Sequence, residues 1–204
     1  MDLKNIFSDI SGRYTTDIAL INSLWTEIEK NYNLKNRYYH NLIHLENMIY
    51  ELESVRKIIN DFDVVLLSVF YHDIIYKSTA KDNEEKSAEI AKERLEQLEV
   101  PSEISERIYS QILATKSHST SDDDTNFLTD ADLSILGKGW KEYENYIRQI
   151  RKEYSIYPDF LYKPGRKKVL QHFLEFDSIY KTEFFKNKYE KQARENIQRE
   201  INSL

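Results

Sequence analysis

The chain has 204 residues, 40% of them hydrophobic and 31% charged, which is enough to bury a core and too apolar for a disordered polymer. Its net charge of −6 argues against a nucleic-acid coat protein or a polybasic membrane binder, and the absence of cysteine excludes disulfides, thiol catalysis and thiolate metal sites. Four glycines and three prolines are too few for a hairpin-rich β fold, so the expectation is an all-α chain forming one domain over residues 1–204.

Residues 16–32 place Ile18, Leu20, Ile21, Leu24, Trp25 and Ile28 near helical spacing and predict the first helix. The polar, aromatic stretch NLKNRYYH connects it to a second helix over about 40–60. Asp61 is the expected N-cap of a segment, FDVVLLSVFYHDIIY, that is apolar on nearly all sides and therefore belongs at the centre of a bundle. After the loop KSTAKD, Asp82 and Glu85 form the D-x-x-E of a capping box that opens a fourth helix to about Leu98. Pro101 and Ser102 start a fifth, ending near Thr115. KSHSTSDDDTN is the expected mobile loop, and NFLTDADLSILG a short helix stopped by Gly137. KEYENYIRQIRKEY is helical and stops before Pro158, LYKPGRKKVLQHFL restarts after Pro164 and Gly165, and a charged helix from about Thr182 closes the chain. The total is eight or nine helices. No stretch is apolar enough to span a bilayer, the N-terminal MDLKNIFSDI has no signal-peptide character, and a cytoplasmic protein is expected.

Five histidines are present, and three lie beside other ligand-type residues. His40 and His44, four apart, would share one face of a helix. His72 precedes Asp73 at the end of the most apolar helix, where an unpaired charge is costly. Asp130 and Asp132 sit among Phe127, Leu128, Leu133, Ile135 and Leu136, and a carboxylate in that setting needs a partner. A divalent cation among His44, His72, Asp73 and Asp132 answers both problems. The string HNLIH lacks the glutamate of zinc-protease HExxH, which argues against a protease. His172, in VLQHFL, reads as an ordinary core or surface histidine.

The order H…HD…D resembles the HD-domain superfamily. YHNLIH, FYHDIIY, DNEEKSA, TDADLSILG, IRQIRKEY, the Y-x-x-G-R of residues 162–166 and ARENI together resemble one phosphohydrolase subfamily of it, from about Trp25 to the C-terminus. The resemblance implies an HD-domain helical bundle. It also implies a metal ion held by His44, His72, Asp73 and Asp132, with Asp130 replacing Asp132 if the helix phase differs. Asp73 could bridge to a second ion, but with His118 the one histidine between the HD pair and Asp132, one ion per chain is expected. Such a mixed N/O set suits Mn, Fe, Co, Ni, Zn or Mg. The implied activity is hydrolysis of a phosphate ester, in a nucleotide or another small phosphorylated metabolite, by metal-activated water. Neither a membrane nor a long nucleic acid is an expected partner. Around the ion, Glu84 or Glu85, with Glu84 preferred, is the candidate general base, and Arg148, Arg151 and Arg166 are candidate phosphate clamps. Lys116 and His118 would close over substrate from the loop, and His40 would donate to the leaving group or line the pocket. Where familiar relatives carry an acid in HD-x-x-E, this chain has Tyr76, a candidate pocket residue. Bland alternatives are helix ion pairs for the arginines with Glu142, Glu144 and Glu153, and half-buried packing for the fifteen tyrosines. A metal- or nucleotide-sensing module without turnover and an iron oxygenase are the competing functions.

Overall fold

The computed structural model describes residues 1–204, which form ten α-helices and two 3-10 segments without a strand. Nothing in the expected order precedes residue 16, yet α1 (Leu3–Ser11) is a helix. Its Leu3, Phe7 and Ile10 recur at helical spacing and are buried, and Asp2 accepts from the Asn5 backbone N–H at 3.0 Å. α2 (Ile18–Tyr32) is capped by Asp17. Its Glu27 takes a two-pronged ion pair from Arg94 of α5, at 2.7 and 2.9 Å.

The predicted 40–60 helix is shorter. Asn41 caps α3 (Leu42–Glu53) by accepting from Ile43 N–H at 2.9 Å, and a 3-10 turn follows at Arg56–Ile58. The Asp124 carboxylate then accepts the backbone N–H groups of Asn60 and Asp61, at 2.8 and 2.9 Å, fixing the turn into α4. As expected, Asp61 caps α4 (Phe62–Tyr71), and nearly every residue of that helix is buried. The buried Ser68 hydroxyl is satisfied by Val64 O and Gln111 Oε1, whereas the buried Tyr71 hydroxyl has no partner. Helices α1, α3, α5, α6 and α7 all pack on α4.

Asp82 makes no capping bond to α5 (Asn83–Gln97); it pairs with Lys86 instead. The neighbouring Asn83 grips the preceding loop, bonding Lys77 N–H and C=O at 3.0 Å each. α5 and α6 (Ser102–Ser117) form a helical hairpin. Half of the expected mobile loop is helix, because Asp122 caps α7 (Asp123–Asp132) through the Thr125 N–H at 3.0 Å. A 3-10 segment, Leu133–Gly137, carries the chain to α8 (Trp140–Glu153).

α9 (Asp159–Glu175) runs unbroken through Pro164 rather than restarting after it. Tyr162 and Leu170 are buried on either side of the proline, and Arg166 is fastened to Glu200 of α10, so tertiary contacts on both flanks outweigh the missing N–H. α10 (Glu183–Ser203) lies over the second 3-10 segment, where Gly137 touches Tyr189 so closely that any Cβ would overlap the ring. One continuous hydrophobic cluster draws residues from all ten helices. No helix is long and apolar enough to cross a membrane.

Candidate metal centre

Three helices deliver the ligand-type residues. His44 lies in the first turn of α3, His72 caps the C-terminus of α4, and Asp132 ends α7. The two imidazoles are 2% and 1% exposed. Asp132 Oδ1 lies 3.1 Å from His44 Nε2 and 3.9 Å from His72 Nε2. One ligand atom from each of the three residues falls within 4.8 Å of the other two.

The directions matter more than the distances. Nε2 of His44 and Nε2 of His72 are both fully buried, and neither makes a hydrogen bond of acceptable angle. The 3.1 Å approach of His44 to Asp132 therefore has the length of a hydrogen bond but not its alignment. Two buried nitrogens and a carboxylate oxygen converge without pairing, which is the donor set and the arrangement that fits a divalent cation. His72 is prepared for this from behind. Its Nδ1 donates to Val69 O at 2.9 Å, which directs Nε2 toward Asp132.

Asp73 is next to this group but not inside it. Its Oδ2 is 3.3 Å from His72 Nε2, yet it is not among the three residues that are mutually within reach. Asp130 points elsewhere. It is two residues from Asp132, about 200° around the helix, and accepts from Lys181 N–H, Thr182 N–H and Thr182 Oγ1 at 2.7–2.8 Å. It therefore anchors the start of α10.

The electrostatics follow from burial. For His72, burial opposes protonation, but the charges and contact of Asp73 and the charge of Asp132 override it and push the group up to about 9. For Asp132, burial is overridden by the hydrogen bond from His118, the contact of His44 and the charge of His72, and the carboxyl is held well below its usual range. For His44, burial prevails and lowers the group.

The remaining predicted residues divide sharply. His118 adopts a left-handed conformation (φ 49°) at the end of α6, and its Nε2 bonds Asp132 Oδ2 at 3.0 Å. His40 lies before α3, so it does not share a helix face with His44, although the two rings approach to 5.8 Å. Tyr76 stacks on His40 at 4.1 Å. Glu84 is half-buried, and burial with the nearby charge of Asp73 raises its carboxyl. Lys116 is tied to Glu85 and to Lys81 O at 2.7 Å.

None of the three arginines is a free clamp. Arg148 is an exposed partner of Glu144 at 3.0 Å, and Arg151 pairs with Asp159 at 2.7 Å. Arg166 is buried in a two-pronged pair with Glu200, at 2.7 and 3.0 Å. His172 is an exposed neighbour of Glu175.

Two residues of the site escaped the sequence reading. Arg37, 6% exposed, donates to Asp73 O at 2.6 Å, Ile74 O at 2.9 Å and His40 O at 3.2 Å, so one guanidinium binds the connector to the turn that carries Asp73. Glu153 accepts the backbone N–H groups of Tyr38, Tyr39 and His40 at 2.8, 2.7 and 3.0 Å. A signal for Glu153 existed. On α8 the buried residues are Tyr143, Tyr146, Ile150 and Glu153, so a carboxylate occupies a position of the apolar stripe. Arg37 sits in a polar connector, where nothing in the pattern marks burial.

No protein-family model matches the chain, and no curated protein or solved structure matches it.

Proposed function

We propose that the chain is a metal-dependent phosphohydrolase of HD-domain type, acting on a phosphate ester of a nucleotide or another small phosphorylated metabolite. The observation that supports it best is the convergence of two unpaired imidazole nitrogens on one carboxylate oxygen, from residues spaced in the order H…HD…D. Three protein ligands leave open coordination positions, to which Asp73 is adjacent. A divalent cation bound there would make water acidic enough to act as a nucleophile and would neutralise phosphoryl charge. The chain itself supplies an acid–base group in Glu84, whose raised carboxyl suits it to exchange a proton near Asp73. His118 holds the outer oxygen of Asp132, and His40 and Tyr76 provide polar edges beside the ligands.

The test is phosphate release from a panel of phosphomonoesters and phosphodiesters by protein loaded with Mn or Co. Turnover of at least one class is expected, together with its loss in Asp73→Ala and Asp132→Ala. Activity surviving both substitutions would overturn the site. A second reading, a sensor that binds metal and ligand without turnover, is favoured by the commitment of Arg148, Arg151, Arg166 and Lys116 to carboxylates, which leaves none of them free for phosphate. Metal uptake with no phosphate released from any panel member would support that reading over the first.

A further inference from the structure

His40 and Tyr76 are far apart in the chain, yet their polar atoms meet on one oxygen. Glu153 Oε2 takes His40 Nδ1 at 2.7 Å and the Tyr76 hydroxyl at 3.0 Å. Oε1 takes the three backbone N–H groups of residues 38–40. The carboxylate is fully buried and thus receives five hydrogen bonds. Burial alone would raise it; the His40 bond and charge and the backbone N–H groups hold it below the usual range, so it is ionised. An ionised carboxylate can only accept. Every donor around it must bring its own proton, and for His40 that proton is on Nδ1.

The other ring nitrogen is free. No protein group bonds His40 Nε2, the side chain keeps 19% exposure, and its ring lies beside that of His44. Stacking on Tyr76 at 27° and edge contact with Tyr39 at 4.9 Å fix the plane of the imidazole.

We propose that Glu153 is a positioning residue: it locks His40 in the Nδ1–H form, so that Nε2 is the ring's one free hydrogen-bonding atom beside the metal centre. The consequence for turnover rests on the phosphohydrolase reading above; the tautomer does not. Three of the five bonds tie down the connector, a structural duty. The other two aim a ring, a duty that only the acceptor character of Oε2 can perform. The two duties reside on different oxygens of one side chain, which makes them separable.

Glu153→Gln separates them. The amide oxygen can keep the three backbone N–H bonds, while the amide N–H₂ replaces Oε2 and faces Nδ1 as a donor. The proton of His40 must then move to Nε2, with Nδ1 accepting. Nitrogen-15 NMR of the metal-free protein, at a pH where the ring is neutral and with His40→Gln to assign the signal, reads this directly. The expected result is an unprotonated Nε2 in the wild type and an unprotonated Nδ1 in Glu153→Gln. If turnover is established with His40 Nε2 as the acceptor of a proton from water, kcat should fall by about a hundredfold or more with KM and metal affinity nearly unchanged, since Nε2 would then present a proton where the wild type presents a lone pair. A wild-type ring carrying its proton on Nε2 overturns the proposal without any variant. So does a folded Glu153→Gln protein whose His40 keeps the wild-type pattern. A protein that shows the expected tautomers but hydrolyses nothing overturns the phosphohydrolase reading and leaves the positioning role standing.

Discussion

At the residue scale, a proton and a divalent cation compete for the space between His72 and its two carboxylates. In the metal-free protein His72 is pushed from 6.5 up to about 9 by Asp73 and Asp132. A basic group raised on folding contributes stability that is full below about pH 6.5 and is lost as pH rises toward about 9. Asp132 is depressed, so its contribution is full above the ordinary carboxylate range and is lost as pH falls from there toward its lower folded-state value. Urea midpoints taken with chelator present should therefore decline between pH 6.5 and 9. The decline should be shallower in His72→Asn and in wild type saturated with Mn, because the cation takes the proton's place. An equally steep decline in His72→Asn would refute the assignment of that proton. The sequence showed the need for such pairing through an HD dipeptide ending an apolar helix and carboxylates in an apolar run. It could not choose between Asp130 and Asp132, because two residues on opposite sides of one helix are told apart only by what packs there.

At the element scale, Asp130 does the work of a helix cap from a distance. Its carboxylate satisfies two N–H groups at the start of α10, which has no cap of its own. Asp130→Ala should cost about 1–3 kcal/mol in urea unfolding, the penalty for stranding buried donors, and should leave metal affinity unchanged. Loss of metal in that variant with stability intact would reverse the roles of Asp130 and Asp132. Helices with strong apolar spacing, such as α2, α4 and α8, were legible from the sequence. The errors fall where long-range bonds decide the backbone. Glu153 holds residues 38–40 out of α3, so the predicted His40–His44 helical pair does not form. Arg166 and Leu170 carry α9 past Pro164, which local rules would make a break. α1 was missed although Leu3, Phe7 and Ile10 spelled it out.

At the scale of the whole molecule, buried polar ties link the closing helices to the site. Arg166 of α9 pairs with Glu200 of α10, which also takes the Tyr143 hydroxyl of α8 at 2.5 Å. The guanidinium lies over Tyr146, whose ring meets Tyr39 beside His44. Arg166→Ala leaves a buried carboxylate uncompensated and should destabilise the fold by about 3–5 kcal/mol, measured by urea unfolding. Arg166→Ala that kept full stability but lost phosphate binding would restore the arginine to the site. The general architecture, an all-helical bundle around the apolar α4, was plain in the composition and periodicity. The meeting of α3, α4 and α7 at one point was expected only through the H…HD…D order, since no local pattern states which helices touch. That meeting is also what most needs measurement. Calorimetric titration of the metal-free chain with Mn, Co or Zn should show one cation bound per chain, with binding lost in His72→Ala and Asp132→Ala. A wild-type chain that takes up none of these cations, or variants that bind as tightly as wild type, would contradict the metal centre.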